Sequence, residues 1–433
     1  MEKHKDAFEN PPFEDGIRHD AIRGEDIAGR LVRHFESGIK HGVGAIGIEL
    51  EHFIVDRRTF RPVFFDDERG QKIILERLLD ILSKRADAKP CFEGGSLIGI
   101  DGELYSISLE PAGQLEISIK AFEDLYSIEK AYDDFRSAIC PLLSALNLTM
   151  LTLGYAPNGK ASEMRLIPKR RYESMLSHFR KTGKLGENMM KGTASLQVSI
   201  DYSSEDDFRN KYRVGMKLMP FLKLLAFNSP FFEGKRNDDF LLRTRIWNET
   251  DPPRCSYPEG SLSDSFSFAD YAEYACGQEM IYYPYGKLPE EKVVVRDFFR
   301  GRRIDDRDVE FVLSMVFPEI RLKKVLEIRG MDSISIAMSK PFLAVIKGIF
   351  YDEASLADAD VNFRFCMEEL DELNRVVSAE GLKGRIFGRG ISDMIGDMLS
   401  IGMEHLAGSD RKMIEDFYNR FYKKKIKMYN MTD

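Results

Sequence analysis

Around GIELEHF (47–53) the chain alternates apolar and acidic residues. A strand sends successive side chains to opposite faces. Ile46, Ile48, Leu50 and Ile54 therefore share one side, and Glu49, Glu51 and Phe53 the other. Three further stretches keep the same period. In QLEISI (114–119), Leu115, Ile117 and Ile119 oppose Gln114, Glu116 and Ser118, with Glu110 just upstream across Pro111. In TASLQVSIDY (193–202), Leu196, Val198, Ile200 and Tyr202 oppose Ser195, Gln197, Ser199 and Asp201. In RLKKVLEIRGMDS (321–333), Leu326 and Ile328 oppose Glu327 and Arg329.

Other segments have the 3.6-residue period of helices. Residues 22–41 space Ile27, Leu31, Phe35 and Ile39 along one stripe, and 71–86 and 209–227 read as further helices. Two helices are expected over 121–147, strands at 148–155 and 322–330, and mostly helix from 338 onward. Glycines punctuate short strands between 92 and 119, and 228–265, rich in Pro, Asn, Asp and Ser, reads as irregular. No internal repeat or linker breaks the chain. The prediction is a loose tail at 1–20 and one α+β domain over 21–433. Its antiparallel sheet core spans about 40–335 and a mostly helical part 338–433.

The polar faces raise a chemical question. They gather Glu49, Glu51, Glu110, Glu116 and Glu327 with Arg329. One reading is an ordinary amphipathic sheet, whose solvent face usually mixes Lys, Thr and Glu. The other is a carboxylate-lined cup that holds Mg²⁺, a hard ion taking oxygen ligands together with substrate phosphates. Basic segments would complement such a cup. PKRRYESMLSHFRKTGK (168–184) is either a solvated helix or a phosphate-facing segment. LLRTRIWNETDPPR (241–254) sets Arg243, Arg245, Arg254 and the single tryptophan, Trp247, in one stretch. Arginine binds carboxylates through two parallel hydrogen bonds, which suits an amino-acid substrate.

Other chemistries are excluded. Gly42, Gly44 and Gly47 spell GxGxxG, but they follow a helix and open a strand, the reverse of a dinucleotide turn. There is no Walker A sequence and no GxSxG elbow. The net charge of −8 argues against a nucleic-acid partner, and no apolar run is long enough for a membrane span. The charged opening segment lacks the apolar stretch of a secretory leader. Five cysteines without a CxxC pair suit reduced thiols in a cytoplasmic protein and disfavour a thiolate zinc site.

GIELEHF, SISLEPAGQLEIS, LGENMMKGTASLQVSIDYSSE, NSPFFEGK, LLRTRIWNETDPPR, FPEIRLKKVLEIRGMD and IFYDE occur in that order over roughly 40–353. With these motifs the chain resembles the plant-type glutamate–cysteine ligases, also found in bacteria. The resemblance implies a glutamine-synthetase-like fold, a curved antiparallel sheet forming a cup backed by helices. It implies ATP-dependent ligation of the γ-carboxylate of L-glutamate to the amine of L-cysteine through γ-glutamyl phosphate, the first step of glutathione synthesis. Mg²⁺, with Mn²⁺ as the alternative, would be the metal and ATP the co-substrate, in a monomer or homodimer.

Carried onto this sequence, the resemblance gives Glu49, Glu51, Glu110, Glu116 and Glu327 the metal role. Arg329 would meet the transferring phosphoryl group, with Glu49 and Glu327 beside it in catalysis. Gln197 and Lys191 fall to the nucleotide and metal side. Arg243, Arg245, Trp247 and Arg254 fall to the amino-acid substrate. Three features depart from the family pattern. RTRIW places Arg245 where R-S-H-I-W has histidine. The region after Tyr351 looks shorter, and the regulatory cysteines of the plant enzymes find no clear counterparts. Two alternatives stay open: the same activating chemistry with another amine acceptor, as in a pathway related to ergothioneine, and a non-catalytic relative that binds nucleotide or metal.

Overall fold

The alternating segment around GIELEHF forms strand β1, Ile46–Asp56, inside the main sheet of the computed structural model. Residues 26–42, 44–85 and 88–424 are described, so the expected tail at 1–20 lies outside the described residues. In chain order the other strands are β2 (Lys89–Glu93), β3 (Ser96–Asp101), β4 (Tyr105–Leu109), β5 (Leu115–Phe122), β6 (Leu148–Leu151) and β7 (Ser195–Ile200). A short pair follows, β8 (Phe231–Phe232) and β9 (Lys235–Arg236), then β10 (Ile320–Leu322) and β11 (Leu326–Asp332), and last a second short pair, β12 (Arg385–Ile386) and β13 (Arg389–Gly390). The main sheet runs β10–β11–β7–β1–β5–β4–β3–β2 with antiparallel neighbours, and β6 pairs with the far end of β1.

Period two sorts the faces as expected. Ile48, Leu50, Ile117, Leu196, Val198 and Ile328 are buried on the core side. His52 joins them, with its ring nitrogens against the Leu115 carbonyl at 3.1 Å and the Tyr132 hydroxyl at 2.8 Å. Burial lowers its pKa to about 4, so it sits there as a neutral, satisfied core residue. Helices Gln71–Leu82, Leu125–Ala145, Glu205–Leu225 and Ile336–Phe350 back this face. The Glu205–Leu225 helix starts where a capping residue would place it: the Ser204 hydroxyl accepts from the Asp207 backbone N–H at 3.0 Å, and three acids occupy the first turn. One apolar core extends from Ile27 to Ile414.

Two expectations are corrected. Residues 121–147 hold one helix, Leu125–Ala145, with Pro141 carried about one turn from its end, where it removes a single backbone bond without breaking the helix. The stretch 228–265 is not irregular throughout: it contains the β8–β9 hairpin and the short helices Leu242–Asn248 and Pro252–Cys255.

One irregularity matters for function. β7 pairs Val198 with Ile328 and then Leu196 with Met331, so Arg329 and Gly330 together stand opposite Gln197. This bulge re-aims Arg329 and shifts the alternation by one residue, a local device often found beside active sites. Met331 thereby enters the core, and Asp332 turns to the polar side.

Candidate active site

The polar face of the sheet floors a cavity of about 270 Å³. Glu49, Glu51, Glu116, Gln114, Ser195 and Gln197 reach it from β1, β5, β7 and the residue before β5. Glu110 joins from the turn between β4 and β5, where the Gly113 backbone N–H donates to its carbonyl at 2.8 Å. Facing the floor are three helices: Arg170–Thr182 brings Arg171 and Met175, Gly186–Gly192 brings Met189 and Met190, and Leu242–Asn248 brings Arg243 and Trp247. Arg321, Lys323 and Arg329 form a cationic side.

The carboxylates differ in how they are balanced. Glu51 and Glu116 are direct cross-strand partners on β1 and β5, an arrangement that sets like charges against each other. Glu51 accepts from the Ser195 backbone N–H at 2.7 Å, the Ser195 hydroxyl at 3.0 Å and the Gln197 amide at 3.3 Å. Burial, then the Glu110 charge, still push its pKa up to about 7. Glu116 has only hydroxyl donors, Ser108 at 3.2 Å and Ser118 at 3.4 Å. Burial, followed by repulsion from Glu49, Glu110 and Glu51, raises it well above the usual range. Glu49 has no hydrogen-bond or ion-pair partner among the described residues, and burial and then Glu327 raise it too.

Glu327 is the opposite case. It pairs with Arg321 and Lys323 at 2.6 Å each and with Arg329 at 3.4 Å. Burial would raise its pKa, but these three cations hold it well below the ordinary carboxylate range. Of the five predicted glutamates it alone does not line the cavity. Glu319 lines it but is also neutralised, accepting from Lys223 at 2.7 Å, Tyr257 at 2.8 Å and Thr244 at 3.1 Å.

Among the described residues no group of three His, Cys, Asp or Glu side chains is arranged to hold a metal alone. The floor nonetheless fits Mg²⁺: its donors are oxygens, their charges are uncompensated, and Mg²⁺ commonly uses one or two carboxylates with waters and substrate phosphates completing its shell. The missing charge predicts a pH effect. Glu49, Glu51 and Glu116 hold protons in the metal-free fold that an unfolded glutamate has released, so their contribution falls as pH rises above 4.5. His34 and His52, both lowered to about 4, work the other way, but only up to 6.5. In EDTA, stability should therefore fall as pH rises from about 6.5 to 7, through the raised Glu51 pKa, by roughly 1.4 kcal/mol per pH unit or more. Added Mg²⁺ should flatten the slope. A melting temperature that does not fall across this window in EDTA would refute the account.

The basic predictions divide. Arg243 and Trp247 line the cavity. The buried Arg243 Nε has no hydrogen bond and lies 3.5 Å from Asp332. Arg329 donates to the Gln197 side-chain carbonyl, so the two side chains meet. Three expected contacts are corrected because the side chains are engaged elsewhere. Arg254, 1% exposed, is held by Asp251 at 2.9 Å and the Met315 and Glu279 carbonyls at 2.7 and 2.6 Å. Lys191 pairs with Glu187 at 2.6 Å, and it does not line the cavity. The Arg245 side chain is 43% exposed, pairs with Asp239 at 2.8 Å and stacks on Phe232 at 5.2 Å. Arg245→His should thus leave kcat/KM within about threefold, under 1 kcal/mol of transition-state binding. A larger loss in steady-state assays would return Arg245 to the site.

Arg171, Glu319, Arg321 and Lys323 escaped the sequence reading. Arg171 lay within a segment read only as a whole, and its buried Nε has no hydrogen-bond partner. Arg321 and Lys323 alternate with buried Ile320 and Leu322, so the period-two rule applied from Ile320, rather than only from Leu326, places both on the polar side.

A model of glutamate-cysteine ligase family 2 matches residues 45–411. The chain is 33% identical over 386 residues to the chloroplastic glutamate–cysteine ligase of Solanum lycopersicum, covering 86% of this chain and 72% of that one. It is 32% identical over 409 residues to chloroplastic glutamate–cysteine ligase B of Oryza sativa subsp. japonica, covering 92% and 80%. Its fold is similar to that of the glutamate–cysteine ligase of Francisella tularensis crystallised with AMP. There the TM-score is 0.52 and the identity 13%, over 88% of this chain and 82% of the other. The α+β class expected from the sequence, an antiparallel sheet backed by helices, is the one observed. Among the described residues no helix is long and apolar enough to cross a membrane.

Proposed function

The chain belongs to glutamate-cysteine ligase family 2, and on that footing we propose that it joins L-glutamate to L-cysteine with consumption of ATP. One observation carries the reading: an uncompensated acidic floor and a cationic side, Arg321, Lys323 and Arg329, face the same cavity. Phosphoryl transfer from a nucleotide to a carboxylate demands this pairing, since both reactants are anionic. The AMP held by the similarly folded Francisella ligase supports an adenine nucleotide here.

A γ-carboxylate oxygen of glutamate attacks the γ-phosphorus of ATP, and the bond to the bridging oxygen breaks to release ADP. The cysteine amine then attacks the acyl carbon. A C–N bond forms, the bond to phosphate breaks and a proton is released. Mg²⁺ would supply charge neutralisation between phosphates and carboxylates. Glu49, Glu51, Glu110 and Glu116 are the residues that would hold it. Glu327 would join them once phosphate draws its cations away, and Gln197 orients Arg329 toward the transferred group. Arg243 suits the α-carboxylate of glutamate, because its Nε is buried without a hydrogen bond. Trp247 closes the wall beside it. Arg245, the departure that raised a different acceptor, lies off the cavity and gives that alternative no support.

ADP release by the purified protein with Mg–ATP and L-glutamate tests the reading, with L-cysteine or other amines added singly. Strong stimulation by cysteine, with γ-glutamylcysteine in the mass spectrum, is the expected result. Preference for another amine would move the substrate. Absence of any glutamate-dependent turnover would leave a binding protein.

A further inference from the structure

The hairpin β8–β9 carries a residue in a backbone conformation it does not favour. Phe232 pairs with Lys235, and the two residues between them, Glu233 and Gly234, have φ of 52° and 73°. Such a turn prefers Asn, Asp or Gly at both positions. A glutamate kept there indicates that its side chain repays the strain. Its Oε1 alone receives three donors: the Tyr155 hydroxyl at 2.6 Å, the Asn188 side-chain amide at 2.8 Å and the Ala161 backbone N–H at 3.0 Å.

Asn188 belongs to the seven-residue helix Gly186–Gly192, whose next two residues, Met189 and Met190, line the cavity. That helix is wedged tightly. A Cβ on Gly192 would come within 2.5 Å of the Tyr155 ring, and one on Gly186 within 2.4 Å of Phe179. So short a helix has little stability of its own, and its placement depends on such contacts. The neighbouring Phe232 ring lies 5.0 Å from Tyr155 and under Arg245, on the helix that carries Arg243 and Trp247. The hairpin thus touches two of the three helices that face the acidic floor.

We propose that Glu233 is a positioning residue: through Asn188 and Tyr155 it fixes the methionine wall against which the amino-acid acceptor lies. The acceptor is assigned to this wall because the phosphates and the dicarboxylate donor need the charged parts of the cavity, whereas a small thiol-bearing side chain suits thioethers and aromatic rings. The assignment rests on the ligase reading; the positioning of the helix does not.

Two variants separate the claims. Glu233→Gly removes the carboxylate and relieves the turn, so a residue of no consequence would give a protein at least as stable. Glu233→Gln keeps an oxygen that all three donors can reach. Backbone amides of 186–192 in ligand-free Glu233→Gly should exchange about tenfold faster than in the parent, with the rest of the sheet unchanged. Its KM for the acceptor should rise about five- to tenfold while kcat and the KM for ATP stay within about twofold, and Glu233→Gln should restore both readouts. Unchanged exchange at 186–192 would overturn the proposal. So would faster exchange with an unchanged acceptor KM, or a uniform fall in kcat. If the parent protein shows no ligase turnover, the ligase reading fails, and the exchange comparison still decides whether Glu233 holds the helix.

Discussion

Glu49→Gln should lower kcat at saturating Mg–ATP by about 10²–10³-fold, the usual scale for losing one group that meets developing charge. The variant should remain folded. Glu49 has no hydrogen-bond or ion-pair partner among the described residues, so the amide removes a charge and leaves no broken contact. Glu116→Gln should lose activity on the same scale and gain stability without metal. It deletes one of two directly opposed carboxylates, and rotatable serine hydroxyls can serve the amide as they served the acid. Melting curves in EDTA at pH 8 should place Glu116→Gln above the parent. That inverse pattern, less activity with more metal-free stability, marks residues kept for chemistry. If either variant keeps nearly full activity, the acidic floor is only a sheet face.

The second large effect is expected at Arg329. Arg329→Lys retains the charge and should still cost about 10³-fold in kcat, comparable to loss of an arginine that meets a transferring phosphoryl group. The guanidinium reaches Gln197 and Glu327 at once, 3.4 Å from the latter, from a bulge that aims it. An ammonium is a single point charge and cannot span both while presenting a free edge to phosphate. ADP release under single-turnover conditions is the measurement. A loss below about tenfold would assign the phosphoryl contact to Arg321 or Lys323 instead.

Most of the acidic floor was legible in the sequence because the backbone fixes its rule. A strand has period two whatever surrounds it, so Glu49, Glu51, Glu116 and Gln197 could be placed on one face from spacing alone. The rule fails where a residue is inserted. Asp332 reads as a core-side position if the alternation of β11 continues, and only the bulge at Arg329–Gly330 turns it toward Arg243. Cations were less legible than acids for another reason. A long side chain goes where its partner is, and the partners of Arg254, Lys191 and Arg245 are Asp251, Glu187 and Asp239. Lys191 and Arg254 lie in stretches that also hold cavity residues, so nearness in sequence to Met190 or Trp247 gave no warning. The two helices expected over 121–147 are one, since Pro141, near the helix end, costs a single hydrogen bond that the packing of Leu125–Ala145 outweighs.

The opposed pair Glu51 and Glu116 has a consequence outside catalysis. Whatever binds the native floor and not the unfolded chain adds to stability by mass action, about 2.7 kcal/mol at a hundredfold excess over Kd. A few kcal/mol is a large part of what keeps a protein folded. On the proposed function, the supply of nucleotide and metal would then govern how long each copy survives proteolysis, as well as how fast it turns over. Energy-starved cells would hold less of this protein before any change in its synthesis.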